Sequence, residues 1–340
     1  MPFLPTYLQT LTFGSEYNRR LDQVMLPNGM QTITFGAAFN QSLDNTVLPS
    51  ETVTLDLGSR FDQCLNGTCL PANLRVLRMG WEFNQPMDDV ELPDGLQELI
   101  LSQEFDQPLD KTHLPHNLQT LTFGYRFNQS LEFTTLPSGL RNLTFGHMFN
   151  KSLKGTELPT GLQSLTFGDS FNKSLDTTVL PYGLRSLTFG ICFNRSLDNV
   201  TLPSSLHTLT FGSAWNHSLD DTLLPTGLRS LTFGRWFNQR LDHTTFPTHL
   251  QDLTFGDMFD MPLGDVKFPD GLQSLTFGSG FNQELAEVTL PSGLRTLTFG
   301  KGFNQALDNG QRSCLPDGLQ HLHLGDDFNM SLPKRRRLAS

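Results

Sequence analysis

The apolar positions of the chain recur every 22 residues. Aligned on a Leu-Pro pair, the unit reads LPxGL[QR]xLTFGxxFNQxLDxTx. Fifteen copies begin at Leu4, Leu26, Leu48, Leu70, Leu92, Leu114, Leu136, Leu158, Leu180, Leu202, Leu224, Phe246, Phe268, Leu290 and Leu315. With that first residue as position one, positions one, five, eight, ten, fourteen and eighteen are apolar in nearly every copy. In the ninth they are Leu180, Leu184, Leu187, Phe189, Phe193 and Leu197. A coil this short cannot close a core around six such side chains, so each must be covered by the coils before and after it, as in a solenoid.

Positions seven to ten, written SLTF or TLTF, alternate polar and apolar with β-favouring residues, which predicts a short strand with Leu and Phe inward. Stacked in register, these strands make one parallel sheet rising roughly 4.8 Å per coil. The proline at position two recurs in all fifteen copies. It lacks an N–H and fixes φ, so it marks a corner before the strand and argues against a helix there. Glycine at position four is expected to supply positive φ at that corner, and the glycine after Phe a second corner. The remaining half-turn has no helical period, so extended or single-turn structure is expected. The predicted fold class is a β-rich solenoid with one parallel β-sheet and little or no α-helix, over residues 1–332, followed by a basic tail at 333–340.

Position fifteen is Asn in twelve copies and Asp in three, Asp62, Asp106 and Asp260. Between an aromatic at fourteen and Leu at eighteen, its side chain is expected to be buried, its amide satisfied by neighbouring backbone along a ladder. Twelve copies of one residue point to architecture, because catalysis needs a single special group. Seven of these residues (Asn40, Asn128, Asn150, Asn172, Asn194, Asn216 and Asn329) lie in Asn-x-Ser sequons. A glycan on a buried ladder would conflict with the fold, which argues against secretion.

Composition narrows the field further. No apolar run reaches the roughly 18 residues of a membrane span, and MPFLPTYLQT has no signal-peptide pattern. Four cysteines (Cys64, Cys69, Cys192, Cys314) form no regular framework, which fits free thiols in a reducing compartment. The expected location is cytoplasmic. The tail PKRRRLAS reads as a nuclear address, as a kinase site at Ser340, or as a charged block that keeps the last coil from stacking on another molecule. A net charge of −10 argues against nucleic acid as a partner. Neither end carries an obvious cap, so end-to-end self-association is a further expectation.

LPxGLxxLTFGxxFNQSLD resembles the FNIP repeat, a relative of the leucine-rich repeat, from residue 4 to 332. The resemblance implies a leucine-rich-repeat-like arc with the parallel sheet on its concave face, and a role in protein interaction. No F-box-sized segment precedes Leu4, so the ubiquitin-adaptor role found in parts of that family is not expected.

Outward positions seven, nine and twelve decide what the sheet face can do. Most copies place Ser or Thr at seven and Thr at nine, as in Thr120/Thr122 and Thr208/Thr210. A rectangular lattice of hydroxyls and methyls follows, the device of some ice-binding solenoids, although β-branched Thr is also simply favoured on exposed strands. The pattern breaks in copies three to five, with Asp56, then Arg78, Trp81 and Glu82, then Glu98, Ile100 and Gln103, followed by Tyr125, Arg126 and His147 in the next two coils. Mixed charge and exposed aromatics are how a partner-reading patch is built, and drift in an old repeat is the plain alternative. His321 and His323, with Asp326 and Asp327 just beyond, offer imidazoles and carboxylates for zinc, or ordinary polarity on a terminal strand. Asp at position nineteen in nine copies either gathers cations or caps a local turn. No nucleophile with a base at motif spacing and no phosphate-cradling loop is found, so neither an enzyme nor a cofactor is expected. The function expected is a non-enzymatic protein–protein interaction scaffold that binds through the polar sheet face in copies three to seven. The alternatives are an ice- or surface-binding lattice and a cation-binding solenoid.

Overall fold

The computed structural model describes residues 4–308 and 313–332. The basic tail and most of the extra residues of the fourteenth copy lie outside them. The chain divides into two compact units, Met1–Leu184 and Arg185–Ser340. Each is a parallel β-solenoid built from the same coil, and no described residue is helical.

In the first unit the strands are β1 (Thr10–Thr12), β2 (Thr32–Thr34), β3 (Thr54–Asp56), β4 (Val76–Arg78), β5 (Glu98–Ile100), β6 (Thr120–Thr122), β7 (Asn142–Thr144) and β8 (Ser164–Thr166). Each pairs in parallel with the next at the same repeat position, as in Leu77↔Leu99 and Leu99↔Leu121. The second unit holds β9 (Ser186–Thr188), β10 (Thr208–Thr210), β11 (Ser230–Thr232), β12 (Asp252–Thr254), β13 (Ser274–Thr276), β14 (Thr296–Thr298) and β15 (His321–His323). Their register is likewise uniform, as in Leu231↔Leu253. The strands occupy positions seven to nine, one residue shorter than the alternation predicts. Position ten still donates its N–H to position nine of the next coil (Phe123 to Thr144, 2.9 Å) while the chain begins to turn.

Three turns close a typical coil. At the first, the N–H of position five bonds the proline carbonyl at position two (Leu140 to Pro137, 3.0 Å). At the second, position fourteen bonds position eleven (Phe149 to Gly146, 3.2 Å), and at the third, position twenty-one bonds position eighteen (Thr134 to Leu131, 3.1 Å). Proline fits the first corner because there it gives up only its carbonyl.

The glycines work differently from expectation. Positive φ occurs only at Gly58 and Gly155 among the described residues, and neither is at position four. Glycine is needed at position eleven because a Cβ on Gly146 would lie 1.7 Å from the Gly124 carbonyl oxygen. Close backbone approach between coils, not handedness, selects the residue.

Leu and Phe at positions eight, ten and fourteen form the core. Phe39, Phe61, Phe83, Phe105, Phe127, Phe149 and Phe171 are fully buried, and consecutive rings stack 5.9 to 6.2 Å apart. Strands in a sheet lie only about 4.8 Å apart. The coils of this unit therefore splay away from the sheet, which lines the inner side of the curve.

The position-fifteen ladder forms, but at the surface. The N–H of Asn150 donates to Oδ1 of Asn128 (2.9 Å), and the N–H of Asp106 to Oδ1 of Asn84 (2.9 Å). Gln at position sixteen adds a second donor to the same oxygen, as Gln85 does to Asp62 (3.0 Å). These side chains are half-buried or exposed, contrary to the burial expected of them, because the ring at fourteen points inward and position fifteen faces the opposite way. The sequon argument against secretion, which rested on that burial, loses its force.

Position twenty-one is the buried polar column instead. Thr46, Thr68, Thr112, Thr134, Thr156, Thr178 and Thr244 are buried with hydroxyls that have no protein partner. Val90, Val200, Val266 and Val288 fill the same column with a methyl where Thr has its hydroxyl. Thr112→Val should therefore raise stability by about 1 kcal/mol, since it removes an unsatisfied hydroxyl at nearly constant volume. A higher melting temperature by circular dichroism is the expected readout.

Candidate functional site

The outward ends of β3, β4 and β5 bring Asp56, Arg78 and Ile100 side by side in register. Arg78 leans toward β5 and pairs with Glu98 (Nη2 to Oε1, 3.3 Å). Asp56 is left with its own turn, accepting the N–H of Gly58 at 3.1 Å. That bond accompanies the positive φ of Gly58, at 74°.

The turn after the strand is rebuilt here. Every other coil bonds position fourteen to position eleven, but Phe61 and Phe83 do not make this bond. Trp81 and Glu82 both donate their N–H groups to the carbonyl of Ser59, at 2.9 and 2.8 Å. In the next coil Ser102 stands where all fourteen other copies have glycine, and its hydroxyl donates to the Phe83 carbonyl. The phenylalanine column at position ten gives way to Leu57, Met79 and Leu101 in the same three coils.

These departures open a cavity of about 380 Å³ on the sheet side of the first unit. Its lining includes Thr34, Asp56 and Ile100 from the strands, Ser59, Trp81 and Gln103 from the turns that follow, and Gly58, Gly80 and Ser102 between them in the chain. Trp81 is 60% exposed.

The structure thus places four of the predicted residues, Asp56, Trp81, Ile100 and Gln103, in one concavity. Arg78 and Glu98 form a tie beside it, and Glu82 sits exposed on the rim. Tyr125 and His147 form a separate stacked pair one and two coils on, with ring centroids 4.5 Å apart. Gln103 links the two groups by accepting the Tyr125 N–H (3.1 Å). Arg126 pairs with Glu104 at 2.7 Å, and His147 Nδ1 lies 2.9 Å from Asp169 Oδ2. Glu104 and Asp169 were not among the predicted residues, although each is an acid at its partner's repeat position one coil away, Glu104 opposite in charge to Arg126 and Asp169 within hydrogen-bond reach of His147. Ser102 was also missed, and its sequence signal was the single interruption of the position-eleven glycines.

The other candidate chemistries have less geometry behind them. Thr pairs do stack in register, as in Thr208↔Ser230 and Thr210↔Thr232, but Asn142, Asp252 and the β3–β5 break interrupt the lattice. The inward curve of the first unit also suits a flat crystal face poorly. Among the described residues, no three His, Cys, Asp or Glu side chains are grouped to hold a metal, His321 and His323 included. At position nineteen it is the preceding Ser that caps the turn, as Ser174 Oγ accepts the Asp176 N–H (3.0 Å). Cys64 and Cys69 are exposed and unbridged, and burial pushes the Cys314 thiol up, away from the reactive thiolate.

Regular 22-residue coils, one parallel sheet in each unit and, among the described residues, turns in place of helices define a leucine-rich-repeat-type β-solenoid. The chain belongs to the FNIP repeat family, whose family model matches segments that together span residues 2–311. Among solved structures it is similar to CroV588, a circular leucine-rich-repeat protein, at 37% identity and a TM-score of 0.90 over 96% of this chain. The chain spans about half the length of that protein, 51% of it. The internalin InlF from Listeria monocytogenes is similar in fold, at 11% identity and a TM-score of 0.52, over 95% of this chain and 88% of the internalin. No curated protein matches the chain significantly.

Proposed function

We propose that the chain is a non-enzymatic interaction scaffold and that its working surface is the sheet side of coils three to seven, where a partner protein docks. The observation that carries this reading is the coincidence of the sequence break with a built concavity. Coils three and four lose a turn bond that every other coil makes, and a 60% exposed Trp81 stands at the opening they leave. Trp, Tyr and Arg are the side chains that most often anchor protein interfaces, and all three cluster here. The tied pairs Arg78–Glu98 and Arg126–Glu104 hold their side chains in place before binding, which lowers the ordering cost of association.

The double variant Arg78→Ala/Trp81→Ala tests the reading. Both residues lie on the outward side, so the fold should persist. Affinity capture from the native cell should recover the partner at least about tenfold less well, the loss of an ordinary hot spot. Equal recovery with an unchanged melting profile would count against this surface.

A further inference from the structure

Within the cavity of coils two to five, Asp56 is a charged acceptor without a cationic partner among the described residues. Asp56 uses one carboxylate oxygen on the Gly58 N–H, and among the described residues no Lys, Arg or His comes within ion-pair distance of it. The nearby guanidinium of Arg78 is taken by Glu98, and Arg60, exposed beyond the turn, pairs with neither Asp56 nor Glu82.

Trp81 supplies the second half of the site. The other exposed tryptophan, Trp236, has its own cation, with the Arg235 guanidinium 5.7 Å from the ring centroid. No side chain among the described residues covers Trp81 in this way. A carboxylate and an open indole face meet in a space of about 380 Å³, with Ile100 beside them.

We infer that this cavity receives the guanidinium of an arginine side chain from the partner segment. A guanidinium carries five N–H donors in a plane, stacks on an aromatic face and needs no hydrogen-bond donor from the site. It therefore matches a carboxylate with an indole beside it, while Ile100 packs against the methylene stem. A volume at the low end of the roughly 300–1,000 Å³ of small-ligand sites fits one side chain. The inference rests on the scaffold reading above and gives the partner its chemistry.

The probe is the capped tripeptide acetyl-Gly-Arg-Gly-amide, compared with its citrulline counterpart, which keeps the shape and loses the charge. The indole N–H signals of Trp81, Trp215 and Trp236 in a ¹⁵N spectrum give one reporter at the site and two controls. The arginine peptide should shift the Trp81 signal saturably with a Kd on the order of 1–10 mM, as suits a single anchored side chain. Asp56→Asn keeps an acceptor for the Gly58 N–H and should weaken binding about fivefold. Citrulline should give no saturable shift. Equal shifts with citrulline, indifference to Asp56→Asn, or no saturable shift at Trp81 would each overturn the arginine assignment. If partner capture still depends on Trp81 in that event, the scaffold reading stands without it. If the peptide binds as expected while capture ignores Trp81, the scaffold reading is the one that falls.

Discussion

Gly146→Ala should destabilise coils six and seven by at least about 3 kcal/mol, the upper end of overpacking penalties. The added Cβ would sit 1.7 Å from the carbonyl oxygen of Gly124 and 2.4 Å from its carbon, and both are backbone atoms that no rotamer change can move. The two coils would have to part at that point. Yet they are pinned on either side by bonds from Phe123 to Thr144 (2.9 Å) and from Met148 to Tyr125 (2.8 Å). Because each coil is stabilised chiefly by its neighbours, the loss should appear as an early transition of part of the array in urea unfolding, followed by circular dichroism. A variant that melts like the parent would show that the coils do not approach so closely. Ser102 marks the limit of the rule, since it tolerates a Cβ only after a coil whose turn has been rebuilt.

Phe149→Ala should cost about 3–5 kcal/mol, the usual range for a fully buried aromatic. The ring is 0% exposed, lies 3.9 Å from Phe145, and stacks between Phe127 at 6.1 Å and Phe171 at 5.9 Å. Its removal leaves a void against three rings in three coils, so the cavity cannot close by the movement of one neighbour. Phe133→Ala is the matched control. That ring is 77% exposed, and its loss should change stability by no more than about 0.5 kcal/mol. Similar losses for the two substitutions would contradict the assignment of position fourteen to the core.

The two substitutions probe features that were not equally visible in the chain. The phenylalanine at fourteen could be assigned inward from periodicity, because burial repeats with the coil. The glycine at eleven could be seen to recur, but its expected role was a corner where the chain leaves the sheet. The distance that makes it obligatory lies between residues 22 apart and has no local signature. The same holds for position fifteen, where recurrence pointed to a ladder and the ladder formed, while its depth depended on which way the preceding ring turned.

The candidate site divides along the same line. Asp56, Trp81, Ile100 and Gln103 stood out as departures from a repeating pattern, and they do meet around one cavity. Their relation to Tyr125 and His147, which stand apart as a stacked pair, was not legible. Neither were the charges of Glu104 and Asp169 that hold Arg126 and His147.

Periodicity alone determined the coil, its strand, its proline corner and the inward columns, because in a repeat the surroundings of each residue are copies of the residue itself. Only the tertiary structure decided how closely the coils approach, which polar columns are covered, and that a cavity opens at coils three and four. Those outcomes turn on backbone hydrogen bonds gained or lost between neighbouring coils, and a one-dimensional pattern does not contain the distances that select them.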